Sequence, residues 1–255
     1  MLSTSGSRRK VHHHEGPDRR FSVNTSLPRP VGHGWRDGRG DPKSLTALPS
    51  FADSGVSRQL IPILGLTTDE HAVGTVAYLA LSFEERSDRS GLMVHFQNGQ
   101  GRFSRMAQTS TDQAIRRATR SLGLSTDSWS VALAAPYAGM TIYGASLSAM
   151  VALTVVALAQ GEVIPRDRVI TGTITTDGRI GCVGGVALKV AAANRACLRR
   201  VLVPENQETA ESNWETPSFM QVVQVDSVSQ ANQALTVPRS SIADSLFMVA
   251  DEHRY

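Results

Sequence analysis

The spacing of apolar and polar positions divides the chain near residue 55. Before it, aliphatic residues are scattered among Arg, Ser, Pro and Gly; after it they fall into regular patterns. "QLIPIL" (59–64) and "VGTVAYLALSF" (73–83) read as strands, the second running into the charged loop "EERSDRSG" (84–91). "LMVHFQNGQG" (92–101) reads as strand and turn. Between Ser104 and Leu122 the apolar positions Ala114, Ile115, Ala118 and Leu122 recur at helical spacing, and Gly123 is a natural stop. "WSVALAAP" (129–136) reads as a strand, and a run of small apolar residues predicts a buried helix from Ser146 to about Gln160. In "RVITGTITTDGRIGCV" (168–183) two short strands flank a Thr-Asp-Gly turn, a hairpin signal. A helix is expected from Val186 to about Cys197, strands in "RRVLVP" (199–204) and "SFMQVVQV" (218–225), and a short closing helix in "SVSQANQAL" (227–235). Strands and helices in this order predict one α+β domain with mixed β-sheets and packed helices.

Charge sharpens the division. Residues 1–45 carry nine Lys/Arg against four acids, a net +5, whereas the whole chain is +3. The expected organisation is a disordered basic arm over residues 1–50, a folded domain over 51–236, and a tail over 237–255. The arm suits either a solvated tail or a tether to a polyanion such as nucleic acid. Its His12-His13-His14 run is a weak metal-binding candidate at most. Cys182 and Cys197 show no metal-type spacing and lie among apolar neighbours, so they read as reduced core residues. The longest apolar stretch, Met150 to Ala159, is too short to span a bilayer, and the N-terminus lacks the apolar core of a secretory signal. A cytoplasmic protein without membrane association is expected, an Arg- and Ser-rich transit segment being the alternative.

Candidate chemistry rests on two residues. The chain has 26 Lys and Arg in all, but its only lysines are Lys10, Lys43 and Lys189. Lys189 is the sole charged residue between Arg179 and Arg195, on the flank of a helix rich in Val and Ala. Unlike arginine, a desolvated lysine can lose its proton. Bringing its pKa from about 10.4 into the range of a general base requires roughly three units, or about 4 kcal/mol. The alternative is a lysine whose stem packs while its ammonium reaches water. Ser146 opens the apolar helix, either as a cap of the helix start or as a nucleophile. A Ser-His-Asp triad has only His71, His95 and His253 to draw on beyond the arm, and His95 reads as a packed strand residue. Neither GxxxxGK[ST] nor HExxH occurs, so neither a P-loop nor that zinc motif is present.

The segment from Gly144 to Ala196 resembles the proteolytic domain of the Lon family of Ser-Lys peptidases. Gly144-Ala145-Ser146-Leu147-Ser148 is similar to the family's serine turn, "QGEVIP" (160–165) to its helix end, and Thr171-Gly172-Thr173-Ile174-Thr175 to its Thr-Gly-x-Ile-Thr strand. Gly178-Arg179-Ile180 and Gly184-Gly185-Val186-Ala187-Leu188-Lys189 match the two motifs that follow, without a gap between serine and lysine. The likeness extends over about residues 56–236. It departs from the family pattern at Tyr143, Ala145 and Leu147, which bear on the substrate pocket and the oxyanion turn.

This resemblance implies a serine endopeptidase with Ser146 as nucleophile and Lys189 as general base. Thr171 would orient the lysine amine, and Gly144 and Ala145 would shape the turn. Extended or unfolded polypeptides are the implied substrates, with no metal and no organic cofactor. No ATPase module lies within these 255 residues, so activity is expected to be ATP-independent unless a separate ATPase associates. A homo-oligomer is also compatible with the resemblance. Two alternatives are a non-catalytic domain of this fold that binds a partner or DNA, and a processing peptidase dedicated to one polyprotein.

Overall fold

The computed structural model describes residues 23–24, 56–67, 71–97, 99–205 and 218–238. The first half comprises β1 (Val23–Asn24), β2 (Val56–Leu66), β3 (Gly74–Glu85), β4 (Met93–Gln97), β5 (Arg102–Phe103), α1 (Arg105–Ser121), β6 (Trp129–Ala134) and β7 (Thr141–Ile142). The second half comprises α2 (Ser148–Ala159), β8 (Glu162–Val163), β9 (Arg168–Ile170), β10 (Thr173–Ile174), β11 (Ile180–Gly181), α3 (Val186–Arg195), β12 (Arg200–Pro204), β13 (Gln221–Val225), α4 (Val228–Leu235) and β14 (Val237–Pro238). The expected α+β class with mixed sheets is what these elements form.

The backbone of the domain is the β2–β3 hairpin, paired without interruption from Val56↔Glu84 to Leu66↔Gly74. It belongs to a four-stranded sheet in the order β2-β3-β6-β4, in which β4 runs parallel to β6. A second, parallel sheet has the order β13-β12-β9. Parallel neighbours need a crossover; α1 lies between β4 and β6 in the chain, and α3 between β9 and β12.

Helix α1 forms where periodicity places it. Ser104 Oγ accepts from the Ala107 N–H at 3.1 Å, the stripe Ala107, Ala114, Ile115 and Ala118 is buried, and Gly123 follows the end with φ +67°. Helix α2 has no polar face: every residue from Ser148 to Ala157 is buried, against α1, α4 and strands of both larger sheets. Its one threonine, Thr154, satisfies its hydroxyl within the helix by donating to the Met150 carbonyl at 2.8 Å. With fully buried Val and Leu side chains contributing about 1.5–3 kcal/mol each, α2 is the centre of the core.

Four expectations need correction. The α2 helix begins at Ser148, not Ser146. Helix α3 ends at Arg195, because Cys197 takes a left-handed φ of +56° that closes the helix. Cys182 and Cys197 are both exposed, in the loop between β11 and α3 and just past the end of α3, so apolar sequence neighbours did not make them core residues. His95 is exposed as well; β4 is an edge strand whose half-buried residues are Val94 and Phe96, and alternation turns His95 outward. Apart from the β1 pair, the arm of residues 1–50 lies outside the described residues, as does most of the tail.

Candidate active site

The stretch from β7 to α2 is a built turn. Gly144 has φ +80°, a conformation disfavoured for residues carrying a β-carbon. The Ser148 N–H then donates to the Ala145 carbonyl at 2.9 Å, and Leu147 occupies the N-cap position of α2 in a helical conformation. No side chain caps this helix start. Ser104 and Ser227 do cap α1 and α4, accepting from Ala107 N–H and Gln230 N–H. Ser146 is therefore a buried residue, 5 % exposed, whose hydroxyl is not used as a cap.

A reciprocal pair of backbone bonds fastens this turn to the segment after β9. The Gly172 N–H donates to the Ser146 carbonyl at 3.1 Å, and the Ala149 N–H donates to the Gly172 carbonyl at 3.2 Å. A β-carbon on Gly172 would lie 2.8 Å from Ile180 Cγ2, so glycine lets β11 pack closely against this segment. Thr171 is thereby held beside the Ser146 turn. Its own N–H is anchored on β12 through Leu202 O at 3.1 Å, and its side chain is fully buried. Among the described residues, Thr171 Oγ1 has no hydrogen-bond partner. The amides of Ser146 and Leu147 donate to no backbone carbonyl among the described residues.

Lys189 lies in the first turns of α3, its N–H bonded to the Gly185 carbonyl at 3.0 Å. Its side chain is 0 % exposed, and among the described residues it is the largest fully buried one and the only ionisable one of the buried polar residues. The reading in which the ammonium reaches water is excluded by that burial. α3 rests on the β2–β3 hairpin, which α2 also contacts, and on β12. At Gly74 an added β-carbon would lie 2.5 Å from the Leu188 carbonyl carbon and 3.1 Å from the Lys189 nitrogen. Arg195 Nη2 donates to the Gly74 carbonyl at 2.8 Å, fixing the other end of the helix to the same strand. At the N-terminus, Gly185 with φ +66° lies against Leu66.

The hairpin of β10 and β11 that leads into α3 is clamped by polar contacts. The Thr175 hydroxyl donates to Asp177 and accepts from the Arg179 N–H at 3.0 Å. That hydroxyl, with the backbone bond at Asp177 itself, holds the carboxyl of this exposed residue below its usual range. Arg117, from α1, donates to the Ile174 carbonyl at 2.7 Å. Nothing in the local residue pattern marks Arg117 or Gly74 as positioning these elements; in each case the partner is a backbone carbonyl far along the chain.

His71 and His95 are both exposed. Among the described residues, no three His, Cys, Asp or Glu side chains are grouped to hold a metal ion. A groove of about 490 Å³ lies on the four-stranded sheet, lined by Arg58, Leu60, Ala80, Ser82 and Ala132 among others, and includes none of Ser146, Thr171 and Lys189. No helix among the described residues is long and apolar enough to cross a membrane.

Residues 105–237 match the family profile of the Lon protease (S16) C-terminal proteolytic domain. The chain belongs to this family. Similar curated proteins include the peroxisomal Lon protease homolog 2 of Caenorhabditis briggsae, 34% identical over 94 residues, which are 36% of this chain and 12% of that protein. Lon protease 1 of Herpetosiphon aurantiacus is 30% identical over 116 residues, 41% of this chain and 14% of its own length. The Lon protease of Magnetococcus marinus is 41% identical over 70 residues, 28% and 8% respectively. The chain thus spans less than a sixth of the length of these relatives. Within the Lon-type domain, the serine turn, α2, the β10–β11 hairpin, α3, β12, β13 and α4 all fall inside the matched residues.

Proposed function

We propose that the protein is a Lon-type serine endopeptidase that hydrolyses extended or unfolded polypeptides with Ser146 as nucleophile and Lys189 as general base. The observation that carries this reading is the complete burial of the Lys189 side chain inside the core of a domain of this family. Burial disfavours the ammonium and so favours the amine that can accept a proton. In the acylation step the amine takes the Ser146 Oγ proton as Oγ bonds to the scissile carbonyl carbon. The carbonyl oxygen becomes an oxyanion, for which the Ser146 and Leu147 amides ahead of α2 are the available donors. The lysine ammonium then gives its proton to the departing amine nitrogen as the C–N bond breaks. Water, deprotonated by the same lysine, hydrolyses the acyl-serine and restores the Oγ–H. Thr171 Oγ1, buried beside the turn, is suited to accept from the lysine and orient its lone pair.

ATP-independent hydrolysis is part of the same proposal. The reduced cysteines suit a cytoplasmic setting. Homo-oligomerisation, association with a separate ATPase and polyanion binding by the arm belong to the same proposal. The deciding experiment is labelling of the purified protein with a fluorophosphonate, alongside Ser146→Ala and Lys189→Ala. Labelling of the unsubstituted chain alone is the expected result. Equal labelling of Ser146→Ala would remove Ser146 from the mechanism.

A further inference from the structure

Strand β7 sits between two neighbours in the sheet β1-β7-β5. On one edge β5 pairs with it in parallel, Arg102↔Thr141 and Phe103↔Ile142, and the Ser104 N–H adds a bond to the Ile142 carbonyl at 2.9 Å. Its other edge is where a further strand can pair. In this structure Val23 and Asn24 take that edge in antiparallel register, opposite Ile142 and Thr141.

The direction of this pairing is informative. From Ile142 the chain continues through Tyr143 and the left-handed Gly144 to Ser146. A strand antiparallel to β7 therefore directs the bonds N-terminal to its paired residues toward the Ser146 turn. The surroundings suit an extended polypeptide. Tyr137, in the loop before β7, and Tyr143, immediately after it, are exposed, as is Met106 at the start of the α1 helix capped by Ser104. Main-chain bonds supply affinity in such strand addition, while exposed aromatic and thioether side chains supply apolar contact.

We propose that the edge of β7 paired by Val23–Asn24 is a docking surface for extended polypeptide, and that Val23–Asn24 hold it as an internal competitor of substrate. The consequence for turnover rests on the reading of Ser146 as nucleophile; the docking itself does not. Occupant and substrate need the same backbone groups of β7, so only one can pair at a time. Val23–Asn24 then act on the site from within the chain.

The test uses the full chain and the double substitution Val23→Pro/Asn24→Pro, which removes two backbone donors and disfavours strand pairing. A fluorescein-labelled peptide spanning residues 17–30 is titrated against both proteins by anisotropy. It should bind the substituted chain about fivefold more tightly, the factor expected if the internal segment fills the edge four-fifths of the time. A peptide N-methylated at the positions of Val23 and Asn24 should lose that binding. Hydrolysis of an extended fluorogenic peptide by the substituted chain should rise in kcat/KM by a similar factor, through KM. Fluorophosphonate labelling should be equal in the two proteins, since so small a reagent does not need the β7 edge. Equal peptide affinity for both chains, or indifference to N-methylation, overturns the proposal whatever the hydrolysis shows. Peptide binding as expected without labelling of Ser146 upholds the docking surface and overturns the nucleophile instead.

Discussion

Replacing Gly74 by alanine tests whether the position of α3 matters to catalysis, without touching either proposed reacting group. The added β-carbon would run into the Leu188 carbonyl oxygen and stand 2.5 Å from its carbon, where ordinary contact begins at 3.4 Å, so strand and helix must part by more than 1 Å. The obstacle is backbone, and no side-chain rotation relieves it. Overpacking of this kind costs about 1–3 kcal/mol, and each kcal/mol lowers Tm by roughly 2–4 °C in a domain of this size. Lys189 follows Leu188 and is carried with it. A misplacement of about 1 Å can reduce turnover on the order of 100-fold, equivalent to about 2.7 kcal/mol in the barrier. Gly99→Ala is the control, because a β-carbon there meets nothing within 4 Å. The assay is kcat/KM on a fluorogenic peptide at a temperature well below both melting transitions, with Tm measured on the same samples. A Gly74→Ala protein that loses thermal stability yet keeps full kcat/KM would refute the idea that α3 must be held this close to β3.

Lys189→Arg should abolish peptide hydrolysis, because arginine keeps the charge but cannot accept the Ser146 proton; a steady-state assay with retained far-UV circular dichroism checks this. Ser104→Ala should lower stability by about 1 kcal/mol with hydrolysis intact, whereas Ser146→Ala should abolish hydrolysis with no loss of a cap, both followed by denaturant titration and peptide assay. For Asp177, whose folded-state pKa is depressed below 3.8, the stabilisation is present above that value and is lost as pH falls through the folded value. Thr175→Val should therefore raise the Asp177 titration midpoint measured by carboxyl NMR, and its stability deficit should shrink in acid.

Those residues also show what was legible in the sequence. The α1 stripe of Ala114, Ile115 and Ala118 was readable because a helix buries one face, and the Thr-Asp-Gly turn because a tight hairpin needs a left-handed residue, here Gly178 with φ +78°. The serine turn and the Gly-Gly-x-x-x-Lys run were readable as family motifs. What was not readable depends on contacts between distant segments. The start of α2 shifts by two residues because Gly144 and the Ala145–Ser148 bond build a turn first. The exposure of Cys197 follows from where α3 stops, and the burial of Lys189 from the approach of Gly74, more than 100 positions earlier. Apolar neighbours in sequence could not decide either outcome. Alternation along "LMVHFQ" did contain the outward orientation of His95, since Val94 and Phe96 are its inward neighbours.

The all-apolar α2 helix has a consequence for the order in which the molecule is made. Its contacts come from β2, β3 and α1, which precede it during synthesis, and from β8, β9, β10 and α4, which follow. A chain halted after residue 160 would present ten core residues with part of their cover missing, a surface prone to aggregation. Ser146 would already have been translated, but Thr171, Gly172 and Lys189 would not. A ribosome-bound fragment of that length thus carries the Ser146 turn before the Thr171–Gly172 segment that fastens it and before the buried Lys189 have been made.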